Sequence, residues 1–454
     1  MKKSDDFYKQ VLKIAVPVTL QSLIMSLLNL TDQLMVGQLG DVSIASVGMS
    51  VKIYGILSVV LAGLATGVSI YASQFWGGGD RKSISQLLGL GLGAGLVLSG
   101  LFTIFVFFMP EMFLGIFTSD TAVKTEGSVF VSVFALSFIP AMLTMMYSAI
   151  LRSTGHTQLP MYISLIAVGL NIVLNYGLIF GQLGMPEWGL MGAAAATAIA
   201  RTVECLLIIG AVYKFRLPGA DGFKQLFGVS QPLLRKFFST CYPIILTELI
   251  WVLGETAYAV VYSRMGTAEM TAMTITFPLQ GLSIALLAGL ASAAGVMVGQ
   301  KLGAGDNDAA YDFARRLIRL GVMVSLGIGV ILAVISPLYV SAFNISDESH
   351  RLGMYLVWVF AGFLWVKVAN MIQAGGVLNS GGDSRFVFVM EAATTWIIGV
   401  PSALLLSFVF NQPIYWVYLI LSLEEVVRFF VGAARIRSKR WMKNLVSDLS
   451  DLSA

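Results

Sequence analysis

Apolar segments of roughly 20 residues recur along the whole chain, each long enough as a helix to cross a bilayer core of about 30 Å. We predict twelve membrane helices, at 12–36, 46–73, 85–109, 127–149, 160–182, 190–213, 238–262, 272–299, 316–340, 352–374, 386–410 and 413–435. The composition agrees with this prediction. Hydrophobic residues make up 57% of the chain and charged residues 12%, against about 25% charged residues in soluble domains.

Residues of the first half recur in the second half at a nearly constant offset. At an offset of 226 residues, Pro17 matches Pro243, residues 61–65 match 287–291, and residues 79–80 match 305–306. At an offset of 227 residues, Leu151 matches Leu378, Ser153 matches Ser380, Gly155 matches Gly382, and Arg201 matches Arg428. A very apolar chain built from two copies of one unit is typical of membrane transporters, whose substrate and ion sites lie where the repeats face each other.

Basic residues are concentrated in alternate loops and therefore orient the chain. They cluster in the N-terminus, 76–82, 151–158, 214–236, 300–319, 378–385 and the C-terminal tail, whereas 117–126, 181–188 and 264–271 hold few. The positive-inside rule places both termini in the cytoplasm, with the protein spanning the cytoplasmic membrane. The net charge of +4 reflects this bias. It indicates contact with membrane lipids and no nucleic-acid partner, because the basic residues flank helix ends.

The longest polar connection divides the chain into two halves. We predict an N-terminal six-helix lobe at 1–213, a cytoplasmic linker at 214–237, a C-terminal six-helix lobe at 238–436 and a cytoplasmic tail at 437–454. The fold class is therefore an all-α polytopic membrane protein with two pseudo-symmetric lobes. Since each lobe has an even number of helices, they share one topology, and a cavity between them would open to one side at a time.

Polar residues inside membrane helices are the best functional clues, because a charge at a helix centre costs about 3 kcal/mol on translocon scales. In the first half Asp32 lies in the first helix, with Asn29 one turn away. Asn171 and Asn175 are spaced i,i+4 in the fifth helix at a similar depth, and Thr197 follows in the sixth. A carboxylate with amide oxygens suits a small hard cation or a proton. The alternative is hydrogen bonding between helices.

In the second half Glu255 lies at the repeat position of Asn29. Lys367 and Glu391 lie at similar depths from the cytoplasmic ends of the tenth and eleventh helices. A structural Lys367–Glu391 ion pair is one interpretation, and a proton-sensitive pair that changes partner is the other. Glu255 is the better candidate for a titrating group or for attracting a cationic substrate.

Other charged residues near the cytoplasmic ends of helices six and twelve are spaced for local ion pairs, to which we assign structural roles. They are Arg201, Glu204, Glu424, Glu425 and Arg428. Aromatic and methionine side chains that could line an apolar cavity are Tyr147, Met145, Met146, Met273, Phe277 and Trp251. Two cysteines suggest neither a disulfide framework nor a metal site. No ATP-binding loop motif is present, so we expect no cofactor.

Several short motifs resemble those of the multidrug and toxic compound extrusion (MATE) family along nearly the whole chain. They are Pro17 and the run 31–37 around Asp32 in the first helix, 74–77 after the second, 151–155 after the fourth, Asn171, Asn175 and Tyr176 in the fifth, and the loop 381–385. The resemblance implies a secondary antiporter that exports lipophilic, often cationic compounds in exchange for Na⁺ or H⁺.

The resemblance also implies roles for particular residues. The first-lobe cation site of the family corresponds to Asp32, Asn171 and Asn175, which would bind Na⁺ if the protein is Na⁺-coupled, and the helix-seven glutamate of the norfloxacin-extruding branch corresponds to Glu255. One departure concerns helix ten, where some members have an aspartate and this chain has Val368 beside Lys367. Lys367 and Glu391 could then replace the charge balance of that second-lobe site.

Three other functions remain open. A flippase for lipid-linked oligosaccharides would need a basic cavity for a pyrophosphate, whereas the expected cavity residues are more acidic than basic. An intramembrane enzyme would need a catalytic constellation, and the two histidines, His156 and His350, are in predicted loops. A channel fits poorly with one acidic site per lobe. We expect a monomeric exporter of small molecules and not an enzyme.

Overall fold

The computed structural model describes residues 2–447, apart from the side chains of residues 2–5 and 223. Within that range all regular structure is helical and no strand occurs. The predicted cytoplasmic tail, 437–454, therefore lies partly outside the described residues.

Sixteen α-helices and three π-helical segments follow one another in the described chain. The α-helices are α1 Lys2–Gly37, α2 Asp41–Gly78, α3 Arg81–Phe108, α4 Pro110–Gly115, α5 Thr121–Ala135, α6 Phe138–Ser153, α7 Gln158–Phe180, α8 Gly189–Lys214, α9 Phe223–Phe227, α10 Gln231–Met265, α11 Thr267–Gly303, α12 Asn307–Ser341, α13 Asp347–Met371, α14 Ser384–Ala393, α15 Val400–Leu404 and α16 Ile414–Arg437. The π-helical segments are Ile372–Leu378, Thr394–Gly399 and Leu405–Val409.

The described helices account for the twelve predicted membrane crossings. Ten helices are long and apolar enough to span a bilayer, and the bent pair α5 and α6 forms an eleventh span. The twelfth, α16, corresponds to the predicted helix 413–435 and is not among those spans, because Glu424, Glu425 and Arg428 place three charges close together in its middle. The prediction of an all-α polytopic membrane protein is therefore confirmed.

One predicted helix is not straight. The segment predicted at 127–149 is divided into α5 and α6, which meet at an angle of 41°. Pro140 lies in the first turn of α6 and has no N–H to donate to the carbonyl of Leu136. Loss of that hydrogen bond explains why the helix bends at this point.

The chain forms two compact units. Within the described residues the N-terminal unit comprises 20–76 and 80–241, and the C-terminal unit comprises 2–19, 77–79 and 242–447. Two long helices, α1 and α10, each contribute residues to both units. The changes occur next to Pro17 and Pro243, the two prolines that the repeat matches.

Each unit has its own apolar core. In the N-terminal unit Val36, Phe130 and Ile179 pack together. The core of the C-terminal unit includes Leu287 and Phe360. Large apolar side chains also lie exposed on the helices, including Leu34, Val334 and Leu338. In a protein of this composition such exposed apolar faces are those that contact lipid.

Candidate functional site

In the N-terminal unit the structure brings Asp32 together with both predicted asparagines. The amide nitrogen of Asn175 donates to Oδ1 of Asp32 at 2.6 Å and to Oδ1 of Asn171 at 2.9 Å. The i,i+4 spacing on α7 places the two amides on one face, as predicted. The three side chains form one hydrogen-bonded group that joins α1 to α7.

Thr197 extends this group to α8. The amide nitrogen of Asn171 lies 3.4 Å from Oγ1 of Thr197, which itself donates to the carbonyl of Ala193. Asn171 and Asn175 are almost completely buried, and the carbonyl oxygen of Asn175 has no hydrogen-bond partner within residues 2–447. A buried, unpaired amide oxygen is costly unless a ligand or water satisfies it. Asn29 is exposed and is not part of the group.

We call Asp32, Asn171, Asn175 and Thr197 the Asp32 site. Within residues 2–447 no lysine or arginine nitrogen lies within 4.0 Å of the Asp32 carboxylate. Its direct partner is the neutral amide of Asn175. A buried carboxylate is normally paired or neutralised, so the site can take up a cation or a proton. The ligands that it offers are oxygen atoms, which hard cations prefer.

A second polar chain lies in the same unit. Arg201 pairs with Glu204 at 2.9 Å, as the i,i+3 spacing predicts. The other carboxylate oxygen of Glu204 accepts from Ser164 at 2.7 Å, and Ser164 accepts from Gln21 at 2.9 Å. This chain ties α8 to α7 and α1, and it holds the guanidinium of Arg201 on a partner other than Asp32.

In the C-terminal unit a small cavity is lined by five charged residues. Its volume of about 50 Å³ admits a few waters, and a drug molecule would fit only in a state of the protein in which the cavity is wider. Predicted cavity residues line it, namely Trp251, Met273 and Phe277. Charged residues line it as well, namely Glu255, Lys367, Glu424, Glu425 and Arg428. The side chain of Glu255 is exposed.

The predicted Lys367–Glu391 ion pair does not form in the structure. Nζ of Lys367 lies 3.5 Å from Oε1 of Glu425 on α16, and Asn370 donates to the other carboxylate oxygen at 2.7 Å. Equal depth on two helices does not ensure that the side chains face each other. Here α13 packs along α16, which places Glu425 opposite Lys367. Glu391 has no lysine or arginine nitrogen within 4.0 Å in the described chain.

The local ion pairs on α16 form as predicted. Nη2 of Arg428 lies 2.6 Å from Oε1 of Glu424, and Nη1 lies 3.4 Å from Oε2 of Glu425. Arg428 also donates to Thr394 and Thr395, each at 3.1 Å. Both threonines belong to the π-helical segment Thr394–Gly399, and such segments are frequent at functional sites.

Comparison with known proteins decides the family. The MatE family model matches residues 17–177 and 243–405, which together make up more than half of the chain. The chain belongs to the MATE family. The two matched segments coincide with the two internal repeats, each beginning at one of the matched prolines. This MATE protein is accordingly a multi-pass membrane transporter and not an enzyme.

Curated relatives match the MATE chain over nearly its full length. The uncharacterized transporter YisQ of Bacillus subtilis is 26% identical over 447 residues, covering 98% of this chain and 97% of the relative. The probable multidrug resistance protein NorM of Thermotoga maritima is 21% identical over 450 residues, covering 96% and 94%. A crystal structure of a mutant Vibrio cholerae MATE transporter, VcmN, has a TM-score of 0.88 at 18% identity and covers 97% of this chain and 100% of that one. At that identity the likeness concerns the fold.

Sequence reasoning missed some partners in this MATE protein. It gave Glu425 only a local role and did not single out Tyr258, whose hydroxyl donates to Glu424 at 2.8 Å. The internal repeat contained the relevant signal, because an offset of 226 places Asp32 on Tyr258 and an offset of 227 places Thr197 on Glu424.

Proposed function

We propose that this protein is a secondary active multidrug efflux antiporter of the cytoplasmic membrane. It exports lipophilic, often cationic compounds in exchange for Na⁺ or H⁺, and both termini lie in the cytoplasm. The lobes at 1–213 and 238–436 expose the substrate site alternately to the two sides. The names of the NorM relatives support the substrate class, and the alternate distribution of basic loops supports the orientation.

The observation that carries this proposal is the Asp32 carboxylate, which is bonded to a neutral amide and has no cationic partner within 4.0 Å in residues 2–447. Entry of a cation or a proton neutralises its charge. Rotation of the Asn175 amide by 180° turns its unpaired oxygen toward the cation and its nitrogen away. The carboxylate, two amide oxygens and the Thr197 hydroxyl then offer four oxygen ligands for Na⁺, or Asp32 alone carries H⁺.

Coupling requires that ion and drug favour different states of the protein. Binding at the Asp32 site draws α1 and α7 toward a shared ligand. We expect this to favour the state with low drug affinity and so to release the drug. In the second half Glu255, together with Lys367 and Glu391, is the proposed substrate or proton-coupling group. Asn29 is proposed as an accessory to ion entry, since it is exposed one turn from Asp32.

Efflux driven by one imposed gradient tests the proposal. Inverted membrane vesicles containing the protein receive either a Na⁺ gradient or a pH gradient, and transport of ethidium is followed by fluorescence. We expect one gradient to drive transport and Asp32→Asn to abolish it. Asp41→Asn is the matched control, because Asp41 is exposed in the first turn of α2 and asparagine caps helices equally well.

Two results would contradict the proposal. One is an Asp32→Asn protein that transports ethidium as fast as the native protein at equal abundance. The other is an absence of ethidium transport under either gradient with the protein in the membrane, which would favour a lipid-linked substrate and a flippase.

A further inference from the structure

The internal repeat supplies a second-half counterpart for each residue of the Asp32 site. The pairs are Asp32 with Tyr258 at the offset of 226, and Asn171 with Ile398, Asn175 with Ser402 and Thr197 with Glu424 at the offset of 227. The acid of the first half lies on α1 and the hydroxyl on α8. In the second half the hydroxyl, of Tyr258, lies on α10 and the carboxylate, of Glu424, lies on α16. The carboxylate and the hydroxyl have therefore exchanged helices between the two repeats.

Two of these counterparts, Tyr258 and Glu424, meet in the C-terminal unit. The hydroxyl of Tyr258 donates to Oε2 of Glu424 at 2.8 Å. A Cβ atom at Gly399, next to Ile398, would overlap both of those atoms, which shows how closely that backbone approaches them. Tyr258 on α10 and the backbone at Gly399 therefore both approach Glu424 on α16, and these three segments are the repeat equivalents of α1, α7 and α8.

The repeated arginine distinguishes the two places. Arg201 and Arg428 are equivalent in sequence, yet Arg201 pairs with Glu204, three residues further along α8. Arg428 instead pairs with Glu424, four residues earlier on α16, at 2.6 Å. The arginine thus pairs with a residue outside the Asp32 site in the first half and with the counterpart acid, Glu424, in the second. Its side chain is 8% exposed and also bonds Thr394 and Thr395.

A second cation reinforces this arrangement. Lys367 lies 3.5 Å from Glu425, and Arg428 contacts the other carboxylate oxygen of Glu425 at 3.4 Å. Each of the two carboxylates on α16 therefore has a cationic partner from the protein itself. In the N-terminal unit Asp32 has none within 4.0 Å among residues 2–447.

We propose that Arg428 and Lys367 are tethered counter-cations that close the second-half counterpart of the Asp32 site to a mobile ion, so that the coupling ion does not bind at Glu424 and Glu425. This inference rests on the proposed role of Asp32. A free cation must displace a group that is covalently attached and already desolvated. The guanidinium of Arg428 does not deprotonate near neutral pH, so a proton cannot exchange through it.

Cation-dependent stability of the purified protein tests this inference without requiring transport. The melting temperature is measured across Na⁺ concentrations at constant ionic strength with choline chloride, and separately across pH. All variants carry Asp32→Asn, which removes the first-half site. A ligand that binds only the folded state raises the melting temperature.

We expect the protein with Asp32→Asn alone to respond weakly to Na⁺ and pH. Adding Lys367→Gln and Arg428→Gln should restore a rise of about 2 °C or more, because Glu424 and Glu425 then lack partners. Further addition of Glu424→Gln should abolish that rise. Arg428→Lys in place of Arg428→Gln, with Lys367 intact, is the matched control and should give no rise, since it retains a tethered cation.

Two results would overturn the inference. The first is a response in the Asp32→Asn protein, with Lys367 and Arg428 intact, that Glu424→Gln removes, because the second-half place would then already bind an ion. The second is a folded triple variant that responds no more than Asp32→Asn alone. If the triple variant does not fold, Arg428→Gln alone in the Asp32→Asn protein decides, since it leaves Glu424 without its cationic partner. A rise supports the inference and no rise overturns it.

The role of Asp32 is tested separately by comparing the native protein with Asp32→Asn. An unchanged response in that comparison contradicts the proposed ion site. The inference about Arg428 and Lys367 is decided only by the part of the melting-temperature response that Glu424→Gln removes. Failure of this inference can therefore be told apart from failure of the proposed Asp32 site.

Discussion

The amide nitrogen of Asn175 lies 2.6 Å from a carboxylate oxygen of Asp32, and the carbonyl oxygen of the same amide is buried without a partner in the described chain. The Asn175 side chain thus orients the Asp32 carboxylate through its nitrogen and has a carbonyl oxygen that is available as a ligand. The hydrogen-bonded chain continues through Asn171 to Thr197. We therefore propose that Asn175 contributes to ion affinity, whereas Asp32 supplies the charge.

The first prediction concerns this amide. Asn175→Ala should weaken the apparent affinity for the coupling ion by roughly tenfold or more, as expected for loss of a hydrogen bond to a charged group. It should not abolish transport, because Asp32 remains. The measurement is the initial rate of ethidium transport against the concentration of the coupling ion. Asn307→Ala, at an exposed position in the first turn of α12, should leave the affinity unchanged. Equal affinities in both variants would contradict the assignment.

The second prediction concerns the repeated Leu-Ala-Gly-Leu-Ala run. Gly289 lies in its second copy, where a Cβ atom would overlap the carbonyl of Ala15 and the hydroxyl of Thr19. Gly289→Ala should destabilise the protein by about 1–3 kcal/mol, because α1 and α11 must move apart. Gly281→Ala on the same helix meets no atom within 4 Å and should stabilise it by about 0.5–1 kcal/mol. Thermal unfolding in detergent compares the two, and the reverse order would show that the close approach of α1 and α11 is wrong.

How far the sequence predicts this molecule depends on the kind of information needed. The helices follow from apolar length, and the Asp32 site follows from the i,i+4 spacing of Asn171 and Asn175 at the depth of Asp32. Both are local properties of single helices. The grouping of these side chains was predictable for two reasons. Counting along the helices gives their depth in the membrane, and the i,i+4 spacing places Asn171 and Asn175 on one face of α7.

The partner of Lys367 was not predictable in this way. Counting residues from a helix end gives the height of a side chain but not the direction in which it points. The π-helical segment Ile372–Leu378 begins between Lys367 and the predicted cytoplasmic end of its helix and changes the number of residues per turn, so the face on which Lys367 lies differs from that of a regular α-helix. Lys367 consequently meets Glu425, and Glu391 is left without a cation within 4.0 Å in the described part of the chain.

The third prediction tests the orientation of the loops. Cysteine at Gln182, in an outer loop by the charge rule, should react with a membrane-impermeant maleimide on intact cells. Cysteine at Lys224, in the predicted cytoplasmic linker, should react only after permeabilisation. Both positions are exposed. The native cysteines, Cys205 and Cys241, are buried and are replaced by alanine as a precaution. Labelling of position 224 in intact cells would show that the termini face outward.

The final prediction concerns Glu255. Its side chain is exposed on the cavity that Trp251 and Phe277 also line, and it has no ion pair within 4.0 Å in residues 2–447. A carboxylate among aromatic rings attracts an organic cation and gains nothing from a neutral compound. Glu255→Gln should therefore raise KM for ethidium about fivefold, which corresponds to ~1 kcal/mol, and leave KM for a neutral dye such as Nile red unchanged.

Two comparisons make this test specific. Glu348→Gln, at an exposed position in the first turn of α13, removes a carboxylate outside the cavity and should alter neither KM. If Glu255→Gln raised KM equally for ethidium and Nile red, the result would indicate a general change of the cavity and not the loss of an attractive charge. A fall in kcat with both KM values unchanged would place Glu255 in proton coupling. The ratio of the two KM values therefore separates substrate attraction from coupling at this residue.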